Sequence, residues 1–513
     1  MEANVVRKTV AGPPPDPESA TRIQLHELLY QPSSSTLASS SSTSIEKNKI
    51  GFVIGEVEAG QAGQVREALE LPKPWGNRFL RKLRYAWASS YRKTFAIIFT
   101  VNLSVFVALV ATASNGRPKH RDIGTAASAN LMAAILFRQE NFLNILYEVF
   151  ARAPHSWPLG IRKRLAKVFH YGGVHSGCGV AAVVWYILYT VEATLLVIED
   201  KNTHGDILAN MVTSWVLVTM FLVILAGAHP SFRKRYHDYF EAFHRFAGWT
   251  ALVNFWIHNV FSAAITGRET GDTAGMALLK APSFWAILIS TACTLLSWSR
   301  LRLRKVYPEK LSNHATRLHF RYAGMPSFYG VKLSDRPLLE WHAFATIPDI
   351  DEDTGKPTGF SVVVSNAGDW TNKHIMASGE RKLWIRGSPL HGLLYTSHLF
   401  KRIVLVATGS GIGPCLSLMH ANSTPTRVYW STRDPQKNYG DAVVNAVRKA
   451  DPRAVIWNTS TQGRGTIVQC VYELAKESDA EAVFIISNPK VTDLVVFGLQ
   501  SRGVPAYGAI FDS

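Results

Sequence analysis

Four histidines, His170, His175, His244 and His258, lie in long apolar stretches of the sequence, where a polar side chain is costly and is therefore a candidate for function. His175 lies a turn and a half deeper than His170 and is not the obvious partner of His258. His244 and His258 are 14 residues apart in one stretch, so on a helix their imidazoles share one face, about 21 Å apart along the axis. His170 lies near the start of an earlier stretch, as His244 does in its own. Facing imidazoles at equal depth can ligate a haem iron axially. The alternative is that each histidine hydrogen-bonds a neighbouring helix.

A glycine-rich turn follows an apolar strand near residue 404 and leads into a helix. Glycines let the backbone approach a pyrophosphate closely, and a helix N-terminus attracts its negative charge. Such a turn is weak evidence by itself, but its position after a strand, in a region where strands and helices alternate, favours a nucleotide site. The candidate contacts in this turn are Gly409, Ser410, Gly411, Gly413 and Pro414.

Two later strand ends carry polar residues that suit the same ligand. Arg433 follows a strand that ends in Ser431 and Thr432, and an arginine there would bind a 2′-phosphate, which favours NADPH over NADH. A solvated arginine at a strand end is the alternative. Asn488 follows another strand and is a candidate to line the nicotinamide side of the site.

Two stretches upstream of the turn place polar side chains beside aromatic ones. Such a combination suits contact with a planar ring such as flavin, or it belongs to the core of a β-barrel, and spacing alone does not decide between the two. The candidates are His342, Phe344 and Thr346 in the first stretch and Gly368, Trp370 and Thr371 in the second.

Six apolar segments precede these stretches, and most approach the ~20 residues that span a bilayer. They cover residues 94–113, 126–150, 168–198, 208–228, 242–264 and 283–299. Residues 138–141 are polar and interrupt the second segment, which is therefore tilted, partly interfacial or directed towards the other helices. Lysines and arginines flank alternate ends of the segments, so the positive-inside rule puts both termini in the cytosol. The net charge of +17 is then explained by basic residues that interact with lipid headgroups, and not by binding of nucleic acid.

The pattern changes after about residue 310. Short β-type runs with little helix predict a small antiparallel barrel, and from residue 403 strands alternate with helices, which predicts a doubly wound parallel sheet. The predicted domains are a disordered cytosolic tail (1–75), a transmembrane helical domain (76–305), a barrel domain (306–398) and an α/β nucleotide-binding domain (399–513).

The order of these parts resembles the ferric reductase/NADPH oxidase superfamily. The resemblance covers residues 94–513 and rests on the histidine pair, then on the stretches HAFAT (342–346), GDWT (368–371) and TGSGIGP (408–414). It is strongest to a fungal group of ferric-reductase-like transmembrane flavoproteins, some of them linked to sporulation or secondary metabolism.

The resemblance implies a ferredoxin-reductase-like module that binds FAD in the barrel and NADPH in the α/β domain. It assigns the flavin ring to His342, Phe344 and Thr346, although alanines replace the usual proline and hydroxyl residue of that motif. It also assigns a flavin contact to the turn at 387–392 and to Phe511 near the C-terminus. Residues 487–489 lack the thiol that the family usually carries near the nicotinamide.

The membrane half departs from the family pattern of two histidines, 13 or 14 residues apart, on each of two helices. The residues 13 and 14 positions after His170 are Val183 and Val184, which cannot ligate iron. One haem b between His170 and His244 therefore remains compatible with the sequence, whereas an outer haem lacks a ligand opposite His258.

Three hypotheses follow. The first is a multi-pass protein of the plasma membrane or an endomembrane that passes electrons from NADPH through FAD, with at most one haem b, to a metal chelate, oxygen or a metabolite. The second is a flavin reductase that the helices merely anchor. The third is a degenerate sensor or scaffold that retains the fold. The expected partners are the bilayer and a small-molecule acceptor, without nucleic acid, and the oligomeric state is left open.

Overall fold

The computed structural model describes residues 71–113, 117–199, 204–351 and 353–509 of the 513-residue chain. The predicted tail lies outside the described residues up to position 70, and Phe511 lies outside them as well. The described chain forms helices as far as Ser299, then an antiparallel sheet, then a parallel sheet with helices. This order of helices, antiparallel strands and parallel strands is the predicted one.

The N-terminal half is helical. Its helices are α1 (Arg78–Arg81), α2 (Ser90–Thr112), α3 (His120–Leu136), α4 (Glu140–Ala151), α5 (Leu159–Leu165), α6 (Gly172–Glu199), α7 (Gly205–Gly227), α8 (Pro230–Arg235), α9 (His237–Thr270), α10 (Ala274–Lys280) and α11 (Pro282–Ser299). A π-helix, Lys82–Trp87, continues α1, and a 3-10 helix, Ala166–His170, continues α5.

Five of these helices share one apolar core. It contains Ile123, Trp185, Leu217, Phe255 and Ile287, from α3, α6, α7, α9 and α11 in that order. Hydrogen bonds between polar side chains also join the helices, as is common where helices pack without water between them. The side-chain oxygen of Asn102 in α2 accepts from Asn130 of α3 at 2.7 Å and from Trp185 of α6 at 2.9 Å.

Three helices are long and apolar enough to cross a membrane: α2, α6 and α7. Helices α10 and α11 would add a fourth span if the pair, bent by 72°, is counted as one. Helices occupy all six predicted segments, but the residues described satisfy the length and composition of a span only in these cases. A six-helix transmembrane bundle therefore remains a prediction.

The second predicted segment is two helices rather than one. Helix α3 ends at Leu136, and α4 begins at Glu140, where the side chain of Gln139 accepts a hydrogen bond from the backbone N–H of Phe142 as an N-cap. The polar residues 138–141 thus mark a break in the helix. Helix α4 then packs against strand β7 of the antiparallel domain instead of extending the preceding helix.

The antiparallel domain is a seven-stranded sheet in the order β4-β3-β7-β1-β2-β6-β5. Its strands are β1 (Arg302–Lys310), β2 (Ala315–Phe320), β3 (Tyr329–Ser334), β4 (His342–Ala345), β5 (Ile347–Ile350), β6 (Pro357–Ser365) and β7 (Arg381–His391). The first half of β1 pairs with β7 and the second half with β2, so the sheet bends there. Val306, Leu318 and Phe360 lie in the enclosed core, which Trp370 of helix α12 (Asp369–Met376) completes.

The C-terminal domain is a five-stranded parallel sheet in the order β10-β9-β8-β11-β12, which matches the predicted doubly wound sheet. Its strands are β8 (Ile403–Thr408), β9 (Thr426–Thr432), β10 (Val455–Asn458), β11 (Ala482–Ile486) and β12 (Ala506–Gly508). Its helices are α13 (Ile412–Ala421), α14 (Pro435–Tyr439), α15 (Asp441–Ala450), α16 (Thr459–Gln462), α17 (Ile467–Glu477) and α18 (Pro489–Gln500). Leu405 and Val406 belong to separate cores, since successive side chains of β8 face opposite sides of the sheet.

Arg162 of α5 joins the helical half to the parallel domain. Its guanidinium donates to both carboxylate oxygens of Glu481 at 2.6 and 2.8 Å and to the carbonyl of Leu399 at 2.7 Å. This hydrogen bonding holds the pKa of Glu481 down at about 2. The side chain of Arg162 is only 4% exposed, so this basic residue forms a buried ion pair instead of facing lipid headgroups.

Candidate functional site

The carboxyl ends of β8 and β11 meet at the centre of the parallel sheet. The chain proceeds from β8 outwards to β9 and β10, then returns to the other side of β8 for β11. Open α/β sheets bind ligands in the crevice at such a reversal of strand order. A hydrogen bond between the hydroxyls of Thr408 and Ser487 links the two strand ends. Two stretches that lie far apart in the sequence therefore form one edge.

The glycine-rich turn has the backbone geometry that its sequence predicts. Gly409 adopts a positive φ of 50°, and a Cβ on Gly411 would lie 2.0 Å from the carbonyl oxygen of Ile486. Only glycine fits there, because the turn touches the backbone of the neighbouring strand. Ser410 is exposed at the tip, and α13 begins at Ile412. Helix α13 therefore presents its N-terminus near the strand switch, although the N–H of Ile412 already donates to the carbonyls of Gly409 and Ser410.

Gly413 and Pro414 lie in the first turn of α13. A Cβ on Gly413 would lie 3.4 Å from the Cβ of Val363 in β6, so this glycine lets α13 pack closely on the antiparallel domain. The indole N–H of Trp430 donates to the carbonyl of Gly409 at 3.1 Å and supports the turn from β9. The predicted glycine residues thus have two structural roles. Gly409 and Gly411 shape the turn, and Gly413 allows close packing between the two sheet domains.

The two predicted strand-end residues reach the same edge. Arg433 follows β9, is exposed, and has no carboxylate partner within ion-pair distance among the residues described. Its cation is thus available to an anion beside the glycine turn. Asn488 caps α18, because its side-chain oxygen accepts from the N–H of Val491 at 3.1 Å. Asn488 therefore has a structural role that its sequence position did not indicate.

The candidate flavin residues of the antiparallel domain come together as an aromatic stack. The rings of His342 and Trp370 lie 4.3 Å apart at an interplanar angle of 29°, and those of Phe344 and Trp370 lie 5.6 Å apart at 27°. His374 packs on the same indole at 4.2 Å. The strand β4 and the helix α12, predicted only as separate stretches, thus build one cluster. The indole of Trp370 stacks over the rings of both His342 and Phe344.

Three nitrogen atoms of this stack are buried without a hydrogen-bond partner among the described residues: Nε2 of His342, Nε1 of Trp370 and Nδ1 of His374. Nε2 of His342 does lie 3.7 Å from a carboxylate oxygen of Glu340, within ion-pair distance. A buried donor without an acceptor is costly, so such atoms are rare in a purely structural core. The side chain of His342 retains 28% exposure, which leaves one edge of the stack accessible. These features fit contact with the edge of a planar polar ring.

The remaining flavin candidates are hydrogen-bonded within the protein. Thr346 is fully buried, and its hydroxyl donates to the carbonyl of Tyr329 at 3.0 Å. The hydroxyl oxygen of Thr371 accepts from the N–H groups of Ala367 and Gly368 at 2.9 and 3.0 Å. Thr346 is therefore not available to a flavin in this arrangement, and Gly368 and Thr371 shape the start of α12.

The turn at 387–392 binds the helical half of the molecule. The hydroxyl of Ser388 donates to the side-chain oxygen of Asn141 at 2.7 Å, and the amide of Asn144 donates to the carbonyl of Pro389 at 2.8 Å. A Cβ on Gly387 would lie 2.6 Å from a carboxylate oxygen of Glu140. This turn therefore serves to dock α4, a role that differs from the flavin contact implied by the family resemblance.

The histidine that faces His244 is His175, not the predicted His170. The rings of His175 and His244 lie 6.4 Å apart, whereas the ring of His170 packs on its neighbour Phe169 at 4.2 Å. A metal–imidazole bond is about 2 Å long, so two imidazoles that share an ion have ring centres roughly 6 Å apart. Nδ1 of His175 bonds the carbonyl of Ala134 at 2.8 Å, a contact that orients its ring.

His258 lies in a filled part of the helical core. Its ring packs against Tyr186 at 5.6 Å, Tyr189 at 5.1 Å and Phe255 at 6.1 Å, and its Nδ1 lies 3.1 Å from the hydroxyl of Thr213. Tyr189 is 14 residues after His175 and occupies the position opposite His258. Aromatic side chains therefore fill the space of a second, outer cofactor, and His258 fits the alternative of a hydrogen-bonded core histidine.

Sequence reasoning missed three groups that the structure brings into these sites. His175 was set aside because it lies a turn and a half beyond His170 on a continuous helix, whereas His170 in fact ends a 3-10 helix that precedes the long helix. The buried pair of Arg162 and Glu481 has no local signal, because its members are far apart in sequence. The docking role of α4 had one signal, the polar interruption at 138–141, which had several explanations.

The architecture is an antiparallel sheet domain followed by a parallel α/β domain, both joined to a helical domain. Residues 393–513 match the family model described as the C-terminal domain of adenylate-forming reductase 03009. Adenylate-forming reductases 03009 and 06235 of Coprinopsis cinerea are similar to this chain, with 41% identity over 442 residues and 42% over 445. Each alignment covers 86% of this chain but only 42% of the relative.

A solved structure of a ferredoxin-NADP⁺ reductase from Neisseria gonorrhoeae, with bound FAD and NADP, is also similar. It covers 41% of this chain and 99% of its own, at 12% sequence identity and a TM-score of 0.33. The named relatives are thus reductases, and the chain spans less than half of the length of the two from Coprinopsis cinerea. The likeness to ferric reductases remains a prediction from the sequence.

Proposed function

We propose that the chain is a membrane-bound oxidoreductase that takes electrons from NADPH. The observation that carries this proposal is the convergence of the glycine turn, the linked pair Thr408 and Ser487, and the free cation of Arg433 at one edge of the parallel sheet. Each group suits a different part of one dinucleotide. The reductase names of the two fungal relatives agree with this chemistry.

NADPH would lie across the switch between β8 and β11. Its pyrophosphate would meet the backbone of Gly409–Gly411 and the N-terminus of α13, where the helix dipole favours negative charge. Arg433 would bind the 2′-phosphate at the end of β9. The nicotinamide would then lie towards Ser487, whose hydroxyl is held by Thr408.

FAD is the cofactor that fits the antiparallel domain. When bound there, it would accept the two electrons of a hydride and release them one at a time. His342, Phe344 and Trp370 would hold the edge of its ring through their stack. The indole N–H of Trp370, which has no acceptor among the described residues, would supply a hydrogen bond, and so would the ring of His342 in place of its 3.7 Å contact with Glu340. Thr346 would support the strand from within. The chain lacks a free hydroxyl at position 345, so hydrogen bonding to the ring rests on nitrogen donors.

One haem b would fit between α6 and α9. His175 and His244 would hold its iron, and the hydrogen bond from His175 to the carbonyl of Ala134 would keep the first ring in place. The proposal excludes a second haem near His258, because Tyr186, Tyr189 and Phe255 pack around that ring. Electrons would therefore leave towards an acceptor at the cytosolic side or within the membrane: a metal chelate, oxygen or a metabolite.

The length and hydropathy of α2, α6 and α7, which are those of membrane spans, support a membrane location. We place the chain in the plasma membrane or an endomembrane with both termini in the cytosol, in agreement with the clusters of basic residues at alternate helix ends. The bilayer and a small-molecule acceptor are the proposed partners. Nucleic acid is not among them.

A nucleotide-binding membrane scaffold without turnover is the second candidate. The cover of Trp370 over His342 and Phe344, together with the buried hydroxyl of Thr346, favours it. We call the carboxyl edge of the parallel sheet, with Gly409–Gly411, Thr408 and Ser487, the dinucleotide edge. A scaffold would retain this edge, because its glycine turn is built from backbone. It would lose the flavin, because the flavin contacts depend on side chains.

An absorption spectrum of the full chain in detergent, recorded before and after addition of NADPH, separates these candidates. The proposal expects a flavin spectrum that NADPH bleaches, together with a haem Soret band that His175→Ala removes. The matched control His170→Ala keeps the band. NADPH binding without any chromophore would support the scaffold, and the absence of NADPH binding would contradict both candidates.

A further inference from the structure

A cavity of about 230 Å³ opens where the last helix of the helical half meets the antiparallel domain. Four of its lining residues are Arg300, Arg302, Arg304 and Arg386, and we call it the arginine cavity. Helix α11 ends at Ser299, and β1 starts two residues beyond Arg300. The basic cluster therefore forms at a junction that the backbone fixes.

Two of these arginines point towards the inner face of the sheet. Arg302 pairs with Ile385 and Arg304 with Leu383 in the register of β1 and β7. Residues directly opposite each other in an antiparallel pair share a face, and both Ile385 and Leu383 are buried in the core. Charged side chains on an inner face need a counter-charge or a polar ligand to offset their desolvation.

Arg302 donates to the carbonyls of Ser299 and Leu301 at 2.9 and 2.8 Å, but the four guanidinium groups have no ion-pair partner among the described residues. Among the residues described, none of them lies within ion-pair distance of a carboxylate, in contrast to Arg162, which binds Glu481. The side chains of Arg304 and Arg386 each bury an Nε that has no hydrogen-bond acceptor. The cavity is thus short of an anion, since an unpaired buried cation is strongly unfavourable.

Glu140 of α4 and Glu241 of α9 are the carboxylates that act electrostatically on Arg386, and both are already used elsewhere. Glu140 pairs with Lys332 at 3.6 Å and accepts a hydrogen bond from Ser297 at 2.5 Å, and Glu241 pairs with Arg245 at 3.5 Å. Burial lowers the pKa of the Arg386 guanidinium to about 10, with Glu140 acting in the opposite direction. Glu140 therefore does not neutralise the four arginines.

Aromatic rings orient the arginines without neutralising them. Arg304 lies 4.2 Å above the ring of Tyr322, and Arg386 lies 4.7 and 4.8 Å from the rings of Trp298 and Trp341. A guanidinium stacked in this way keeps its N–H donors in a fixed plane and loses little freedom when it binds a tetrahedral anion. Arg300 is held by Ser388, to which it donates at 2.7 Å.

We propose that the arginine cavity binds a phosphoryl group, supplied by an anionic lipid headgroup or by a soluble phosphate ester. Planar guanidinium groups match phosphate oxygens with paired hydrogen bonds. The exposed Arg300 and Arg302 form the entrance, and the half-buried Arg304 and Arg386 form the deeper wall. The position after α11 puts the entrance at the level where headgroups would lie if that helix is in the bilayer. This site is separate from the dinucleotide edge and does not depend on redox activity.

Binding of phosphoryl probes to the full chain tests this assignment. The probes are inositol trisphosphate in solution, nanodiscs of phosphatidylcholine alone, and nanodiscs that also contain a phosphorylated phosphatidylinositol. The variant Arg302→Gln/Arg304→Gln should weaken binding by about tenfold or more, because each charge-assisted hydrogen bond contributes strongly. Arg302→Gln alone, at an exposed position, gives the same direction should the double variant fold poorly.

Arg321→Gln is the matched control, because this arginine also stacks on a tyrosine of the same domain, Tyr307 at 4.5 Å, but does not line the cavity. It should bind like the parent chain. If the parent chain prefers nanodiscs with the phosphorylated lipid to inositol trisphosphate, the ligand is a lipid headgroup. If it binds inositol trisphosphate as tightly as those nanodiscs, the ligand is a soluble phosphate ester. Equal binding by the parent and both cavity variants, or no binding of any probe, would overturn the proposal. Loss of FAD from the cavity variants would also overturn it, by assigning the cavity to the cofactor.

Discussion

The dinucleotide edge and the His342–Trp370 stack are built in different ways. The edge depends on backbone: a glycine turn that touches Ile486, and a strand order that brings Thr408 and Ser487 together. The stack depends on side chains from β4 and α12 that meet only in three dimensions. A site made from backbone tolerates changes of side chain, whereas a site made from a stack does not. The dinucleotide edge should therefore survive substitutions that would abolish the flavin contacts.

Trp370→Ala should have the largest effect on stability. The indole is almost fully buried in the core of the antiparallel domain, so its loss should lower the free energy of unfolding by about 4 kcal/mol. Chemical denaturation measures this change. Trp384→Ala, on the outer face of β7, is the control and should cost far less. An unchanged stability together with tighter flavin binding would mean that Trp370 blocks the site instead of building it.

Gly411→Ala should damage the dinucleotide edge through the backbone. The new Cβ would lie 2.0 Å from the carbonyl oxygen of Ile486, so the strand must shift. This shift should lower the free energy of unfolding by about 3 kcal/mol. NADPH binding should be lost as well. Gly392→Ala, which meets no atom within 4 Å, is the control and should leave both quantities unchanged. Normal NADPH affinity in Gly411→Ala would contradict the backbone account of the edge.

Acid should weaken the ion pair that joins the helices to the parallel domain. The pKa of Glu481 is about 2 in the folded chain, below its value of about 4.3 in unfolded chains. The pair therefore stabilises fully above pH ~4.3 and is lost as the pH falls towards 2. After allowance for solvent screening, we expect the pair to contribute about 2 kcal/mol to the free energy of unfolding. The difference in acid sensitivity between the parent chain and Glu481→Gln measures this contribution. Identical acid profiles would remove this pair from the account.

The features that sequence reasoning predicted are those with local signals. Apolar runs located the helices, and the apolar strand before Gly409 located the centre of the parallel sheet, because both patterns are continuous along the chain. The facing pair of His175 and His244 was missed, because periodicity does not show where a 3-10 helix passes into an α-helix. The use of Arg162 in a buried pair was missed for a similar reason: its partner, Glu481, is distant in sequence.

The central claim is that the carboxyl edge of the parallel sheet binds NADPH, and calorimetric titration of the full chain in detergent tests it most directly. The account predicts tighter binding of NADPH than of NADH, by about tenfold or ~1.4 kcal/mol, and predicts that Arg433→Ala removes this preference while NADH affinity stays the same. Equal affinity of the parent chain for the two dinucleotides would contradict the role of Arg433. No binding of either would contradict the site itself.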